Sequence, residues 1–524
     1  MKTAEQAKLG YFRSIFWPFY RSELKLVIPM LLILFLTCFN YSILRNLKDV
    51  LVVTAKSSGG AVIPFIKVWA MLPMAVLSAY AFTKLSNRFS QEKVYYIMVW
   101  GFLIAYGIFG FILYPMRERL ELVGFARFLE TILPSGAQGF ISMIRHWSFT
   151  MFYVMCELWS SIVLTVLFWG FANEITKVKD ARRYYSIFSV VSSFSAVIAG
   201  LSGRYFSSLE YNPSLPFGSD AFEQTIMEVV LAVCIVGLCI MGVFWWLNRH
   251  VLNSPDYIDL HRSNHAIRIK KKQSLRDSFS FLAKSKYLIC IAIIVVAYNL
   301  TINLVEVVWK DQLKNLYPNR DDYFIYLSNV TILLGIVSSA ASFFIGKVIG
   351  RAGWTKTAMI TPFVLLVTSL GFFGFLFYRQ FMVDTTLYFM GMTPLAMAVM
   401  FGGAQNCLCK SAKYSVFDST KEMAFIPLDH ETKLKGKAAI DGVGSRLGKS
   451  GGAVIHQALL LIFSSLTQSA PYVAGILMGV IFVWFGAVKV LGVEFAKMAI
   501  EKNDTAEGIT DRIEPEAEVQ LAKT

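Results

Sequence analysis

The chain has 524 residues, 56% of them hydrophobic and only 16% charged, with a mean hydropathy of +0.54. A soluble domain carries about 25% charged residues, so this balance excludes one oversized soluble core and implies apolar surface that faces lipid. The formal net charge of +15 would point to nucleic acid in a soluble protein; here it reads as Lys and Arg gathered in cytoplasmic loops, with no nucleic-acid partner.

Residues 1–25 are basic and amphipathic. They show neither a short apolar core with a cleavage site nor a Ser/Arg-rich transit sequence, so the first membrane span is the expected insertion signal. About 20 apolar residues cross a bilayer as a helix. Twelve such segments follow, at 26–45, 61–82, 95–114, 147–170, 184–202, 226–247, 287–309, 325–346, 357–378, 386–406, 438–465 and 471–492. The stretch 117–133 is amphipathic and reads as lying at the interface. With the N-terminus placed inside, the inner segments before the tail hold 30 Lys and Arg and the outer ones 11, which supports both termini in the cytoplasm. The longest internal loop, with Arg268, Lys270, Lys271, Lys272 and Arg276, suits anionic lipid.

The expected organisation is therefore an all-α polytopic membrane protein with a cytoplasmic segment at 1–25, a six-helix bundle at 26–248, a basic linker at 249–285, a second six-helix bundle at 286–493 and an acidic, disordered tail at 494–524. The halves echo each other. Phe39-Asn40-Tyr41-Ser42-Ile43 matches Tyr298-Asn299-Leu300-Thr301-Ile302 at a shift of 259, and Phe206-Ser207-Ser208-Leu209 matches Phe463-Ser464-Ser465-Leu466 at a shift of 257. Two six-helix repeats around a midplane site describe a major-facilitator-like transporter. None of the seven cysteines forms a CxxC pair and the histidines lack cysteine partners, so no metal site, disulfide framework or cofactor is expected.

A charge at mid-bilayer costs at least about 2.5–3.5 kcal/mol on insertion scales. Four residues carry that cost. Lys67 lies early in the second span, Glu157 midway along the fourth, Glu306 late in the seventh with Asn303 one turn before it, and Lys449 in the eleventh among Gly448, Ser450, Gly451 and Gly452. Lys67 and Glu306 sit near helix ends and can also snorkel to the interface. Glu157 is flanked by apolar residues and reads as an ion-pair partner or a functional acid. Glycines around Lys449 serve close helix packing or let an anion approach the backbone. Arg446 adds a cation one turn earlier. Arg45 and Lys48 end the first span beside Asp49, and Lys310-Asp311 repeats the ending; these are interfacial anchors or cations at a cavity mouth that attract a polyanion. Gly448-Lys449-Ser450 is not a phosphate-binding loop of the GxxxxGK[ST] type, because Val443 stands where glycine is required.

Long segments around these residues, LKDVLVVTAK (47–56), PFIKVWAMLPM (64–74), FYVMCELWSSIVLTVLFWGFANEIT (152–176), NLVEVVWKDQLK (303–314), KSAKYSVFDSTKEMAFIPLD (410–429) and KGKAAIDGVGSRLGKSGGA (435–453), resemble the ATP/ADP translocases, the nucleotide transporters of plastids and obligate intracellular bacteria. The resemblance runs over nearly the whole chain. It implies a major-facilitator-like fold, exchange of external ATP for internal ADP with phosphate as a third substrate, and a secondary transporter rather than an enzyme. It places the family's essential membrane charges on Lys67, Glu157, Glu306 and Lys449. A bacterial member in the inner membrane, acting as a monomer, is the expectation. A proton-coupled or broad-specificity nucleoside triphosphate importer is the alternative, with a channel or structural protein behind it. Glu157 and Glu306 are expected to pair with basic residues in the empty site. Tyr41, Trp69, Tyr153, Trp159 and Trp309 are candidates to stack on adenine.

Overall fold

The computed structural model describes residues 19–176, 178–252, 285–383, 386 and 391–521. A backbone in hydrocarbon must satisfy its polar groups within one segment, and long apolar helices do that. Ten described helices are long and apolar enough to cross a membrane. These are α1 (Leu24–Val53), α2 (Val62–Arg88), α3 (Gln91–Leu113), α4 (Trp147–Ile175), α5 (Val178–Ser207), α6 (Ala221–Leu252), α7 (Lys286–Leu316), α8 (Arg320–Ser342), α9 (Arg351–Phe377) and a last helix, Leu466–Leu521, apolar to about Met498. Two less apolar helices of 19 residues precede that last one: α10 (Pro394–Ala412) and α11 (Ser445–Phe463). The last helix is therefore α12. The described chain is a multi-pass all-helical membrane protein, and α10 and α11 fall short in apolarity because α10 carries Gln405, Asn406 and Lys410 and α11 carries Arg446, Lys449, His456 and Gln457.

Several boundaries differ from the apolar windows. α1 runs past 45 to Val53 and α7 past 309 to Leu316. Arg45, Lys48 and Lys310 therefore lie within helices, not at their ends. α10 starts at Pro394 rather than 386: Thr393 caps it by accepting the Ala396 N–H at 3.2 Å, and proline at the first turn has no N–H to waste. The polypeptide then stays helical beyond 406, through a π turn at Lys413–Phe417 to Ala424. α8 and α9 belong to one helical run, Arg320–Phe377, kinked at Gly353 near the start of α9, where the φ of 78° is one that only glycine adopts freely. The stretch 117–133 forms short helices at Arg117–Leu120 and Val123–Ile132, and the second exposes Phe125, Phe128 and Ile132, as an interfacial helix does. α12 continues as helix through residues whose acidic composition predicts disorder. Most of the basic linker, 253–284, and residues 1–18 lie outside the described residues.

α1 packs on α4, α5 and α6, and α3 on α6. α7 packs on α10, α11 and α12, and the α8–α9 run on α10 and α12. The first six helices meet the last six along α5 and α8. There Gly200 faces the Ser328 carbonyl and Gly335 the Ser193 carbonyl, and a Cβ at either glycine would lie 2.7 Å from that oxygen. Small residues let the two backbones close up. Further links sit at the end of the bundle where α1 and α7 finish and α2 begins. The Asp311 carboxylate accepts the Gly60 N–H at 3.0 Å, Lys314 donates to the Ser58 carbonyl, Gln457 donates to the Pro64 carbonyl at 2.9 Å, and the hydroxyls of Ser135 and Ser464 are 2.7 Å apart.

Candidate substrate site

A ladder of six charges, with Lys48, Asp49 and Lys310 buried at its middle, joins α1, α4, α7 and α10. Lys410 on α10 contacts Glu306 at 3.2 Å. Glu306 also holds Lys310 at 3.2 Å, one turn along α7, the spacing at which side chains share a helix face. Lys310 reaches Asp49 on α1 at 2.7 Å. Asp49 contacts Lys48 at 2.9 Å, and Lys48 contacts Glu157 on α4 at 3.0 Å. Lys48 also lies 3.7 Å from the ring centre of Tyr153, a cation–π contact. Three cations and three carboxylates alternate, so the ladder is neutral. Buried charges persist only when paired in this way. Glu157 is its open end, with 32% of its side chain exposed against 2% for Lys48.

The other predicted residues lie around the ladder. Lys67 sits in a π turn, Ile66–Ala70, and donates to Asn303 Oδ1 at 2.6 Å. Asn303 is oriented for this, because its Nδ2 donates to the Asn299 carbonyl at 2.8 Å. Lys67 is within electrostatic range of Glu306 and Glu157. Neither Lys67 nor Glu306 snorkels; both turn inward. Lys449 and Arg446 are exposed on α11, and Lys449 feels the charges of Lys413, Glu157, Arg446 and Glu306. Arg45 donates to the Thr331 hydroxyl at 3.4 Å and lies over the Tyr41 ring. Lys67, Arg45, Lys413, Arg446 and Lys449 have no ion-pair partner among the described residues. The structure thus places a neutral ladder beside a set of uncompensated cations.

Two sequence readings need correction. Gly448 and Gly452 do not offer their backbone to an anion. They face α7, where a Cβ at 448 would lie 2.7 Å from Asn299 Cβ and one at 452 would lie 3.0 Å from Asn303 Cβ, and their N–H groups are inside a helix. They are packing glycines that set α11 against α7. Nor is Lys48 an interfacial anchor, since it is buried in the ladder. Among the aromatic candidates, Trp159 and Trp309 are fully buried and spend their indole N–H on the carbonyls of Thr37 and Val399, and Tyr153 lies under Lys48. Tyr41 and the half-exposed Trp69 remain, joined by Tyr414, which is 48% exposed in the π turn after α10.

Sequence reasoning missed Lys410 and Lys413 as members of the site, and gave Asp49 and Lys310 only as residues at the ends of their helices. Lys410 and Lys413 lie beyond the apolar window that ended at 406. A signal was present: the run Lys410-Ser411-Ala412-Lys413 continues the helix without a breaker.

The model for the TLC ATP/ADP transporter family matches residues 2–495. The chain belongs to this family. It is 42% identical over 511 residues to ADP,ATP carrier protein 1 of Chlamydia trachomatis, covering 97% of this chain and 95% of the relative. It is also 42% identical over 480 residues to the plastidic ATP/ADP-transporter of Solanum tuberosum, covering 92% of this chain and 74% of that one. Among solved structures, a D-xylose-proton symporter superposes with a TM-score of 0.54 at 11% identity, over 89% of this chain and 96% of that one. An inward-open structure of the xylose transporter XylE from E. coli gives 0.52 at 11% identity, over 87% and 94%. The fold is therefore that of the major-facilitator transporters, on which this TLC family chain builds its ladder of charges.

Proposed function

We propose that this chain exchanges ATP for ADP across a bacterial inner membrane by alternating access, with phosphate leaving alongside ADP. The observation that carries the reading is the surplus of unpaired cations, Lys67, Lys413, Arg446 and Lys449, beside a ladder already neutral in itself. A fixed surplus of positive charge beside a neutral ladder calls for a polyanionic substrate. Lysines bind phosphates as point charges and need no hydrolysis to do so. The names of the relatives, ADP,ATP carrier proteins and ATP/ADP-transporter, support the choice of nucleotide.

Residues 26–248 and 286–493 are the two bodies that rock, with both termini cytoplasmic and a single chain as the working unit. In that orientation the links at Gly60–Asp311 and Ser135–Ser464 close the outer face. Both membrane carboxylates, Glu157 and Glu306, are held by lysines, which favours exchange over a proton-coupled route. Purified protein in liposomes loaded with ADP should take up labelled ATP in a saturable way, and vesicles without internal nucleotide should not. Uptake into empty vesicles driven by a pH gradient would establish symport instead. Non-saturable flux would establish a channel.

A further inference from the structure

The ladder crosses from the first half of the chain to the second at one place, between Asp49 and Lys310, 2.7 Å apart and each about 95% buried. Counted by half, the balance is lost. Lys48, Asp49 and Glu157 carry one net negative charge, and Lys310, Lys410 and Glu306 one net positive charge. Within the ladder neither half compensates itself, because Lys48 already serves two carboxylates and Glu306 already serves two lysines. Parting the halves at this level leaves one buried charge unpaired on each side, and an unpaired buried charge is strongly disfavoured.

We propose that Asp49–Lys310 is the clasp that makes exchange obligatory: it holds the empty carrier shut and yields when a polyanion takes the place of Asp49 at Lys310. Two further observations fit. Lys67 belongs to the first half, yet its hydrogen bond goes to Asn303 in the second. When the halves part it is released and, being within range of Glu157, offsets the surplus negative charge there. The surplus positive charge of the second half stands with Lys413, Arg446 and Lys449, all on that half, so a bound anion neutralises the side that most needs it. The empty carrier has no such substitute. Asp49 and Lys310 are thus positioning residues that act on the opening of the halves.

The proposal rests on the reading as a nucleotide exchanger, and its test separates the two. Ser135 and Ser464 meet across the halves with their hydroxyls 2.7 Å apart, so S135C/S464C reports closure as a disulfide, read by peptide mass spectrometry. The empty carrier with Asp49 and Lys310 intact should oxidise to near completion, and ATP outside should lower the yield. Adding D49N/K310Q removes both charges with little change of shape. It should lower the disulfide yield of the empty carrier by at least about threefold, the shift expected when a closed majority becomes a minority. In liposomes, D49N/K310Q should take up ATP without internal ADP. An undiminished disulfide yield in the D49N/K310Q background overturns the clasp, whether or not that variant transports. Failure of the unmodified carrier to move nucleotide would instead overturn the substrate assignment and leave the crosslinking result to stand.

Discussion

Lys67 and Lys449 stand out at the level of single residues because each is an ionisable group inside a stretch that otherwise suits lipid, and neither has a carboxylate partner among the described residues. Replacing either with Gln should lower ATP exchange at least about tenfold, equivalent to about 1.4 kcal/mol. Near-normal rates for both variants at equal expression would refute a phosphate-contact role. Glu157 and Glu306 differ, since lysines already hold them. Glu→Gln at either position should slow maximal exchange more than it weakens apparent affinity, because it removes a partner that phosphate must displace; the split between rate and half-saturation in ADP-loaded vesicles checks this. These four residues were legible in the sequence because a charge within an apolar run has few explanations. Asp49, Lys310 and Lys410 were not. Each lies where an apolar window gives way to polar sequence, and there an interfacial anchor and a buried ion pair read alike. What decides between them is a partner on another helix, and Asp49 and Lys310 are 261 positions apart.

Helices show the same division between what periodic apolarity reveals and what packing adds. Ten described helices are plain spans by apolarity, while α10 and α11 are less apolar because polar residues interrupt them. π turns interrupt the helices at Ile66–Ala70, Ser160–Phe168, Lys413–Phe417 and Ile440–Gly444, close to Lys67, Glu157, Lys413 and Arg446. Such turns often mark functional sites, and no sequence pattern announces them. α11 offers a direct test of how an element positions a charge. Gly452 faces Asn303, whereas Gly451 meets nothing within 4 Å. G452L should push α11 away from α7, at a cost of about 1–3 kcal/mol from overpacking, and should weaken nucleotide affinity by disturbing Asn303 and its bond to Lys67. G451L should do neither. Equal loss of thermal stability in the two variants would show that the glycine seam does not set the site. Base recognition belongs to this scale too. With Tyr153, Trp159 and Trp309 committed to packing, alanine at Tyr41 or Tyr414 should reduce the preference for adenine over guanine nucleotides; unchanged selectivity in both would remove stacking from these rings.

For the whole molecule, the constraint is charge carried per cycle. Near neutral pH, ATP bears about four negative charges and ADP about three, so one-for-one import of ATP brings in one net negative charge. Against an inside-negative potential this costs about 2.3 kcal/mol per 100 mV. A cell drawing on external ATP would oppose its own membrane potential at every turn. The site suggests a way out. The ladder is neutral in itself, and the cations beside it, Lys67, Lys413, Arg446 and Lys449, present the same positive field whichever nucleotide is bound. ADP alone leaves part of that field unmatched, and a monovalent phosphate in the place of the terminal phosphoryl group restores the match, with Lys449 its expected contact. ADP plus phosphate then carries the charge that ATP carries, and the cycle is electrically silent. Labelled phosphate should therefore leave ADP-loaded vesicles when ATP is supplied outside. A potassium diffusion potential imposed with valinomycin should change the exchange rate little while phosphate is present, and more when it is removed. In K449Q, phosphate efflux should fall further than ADP efflux. Strong potential dependence in the presence of phosphate, or ADP efflux with no phosphate beside it, would mean that the surplus positive field is satisfied by nucleotide alone and that each cycle moves a charge.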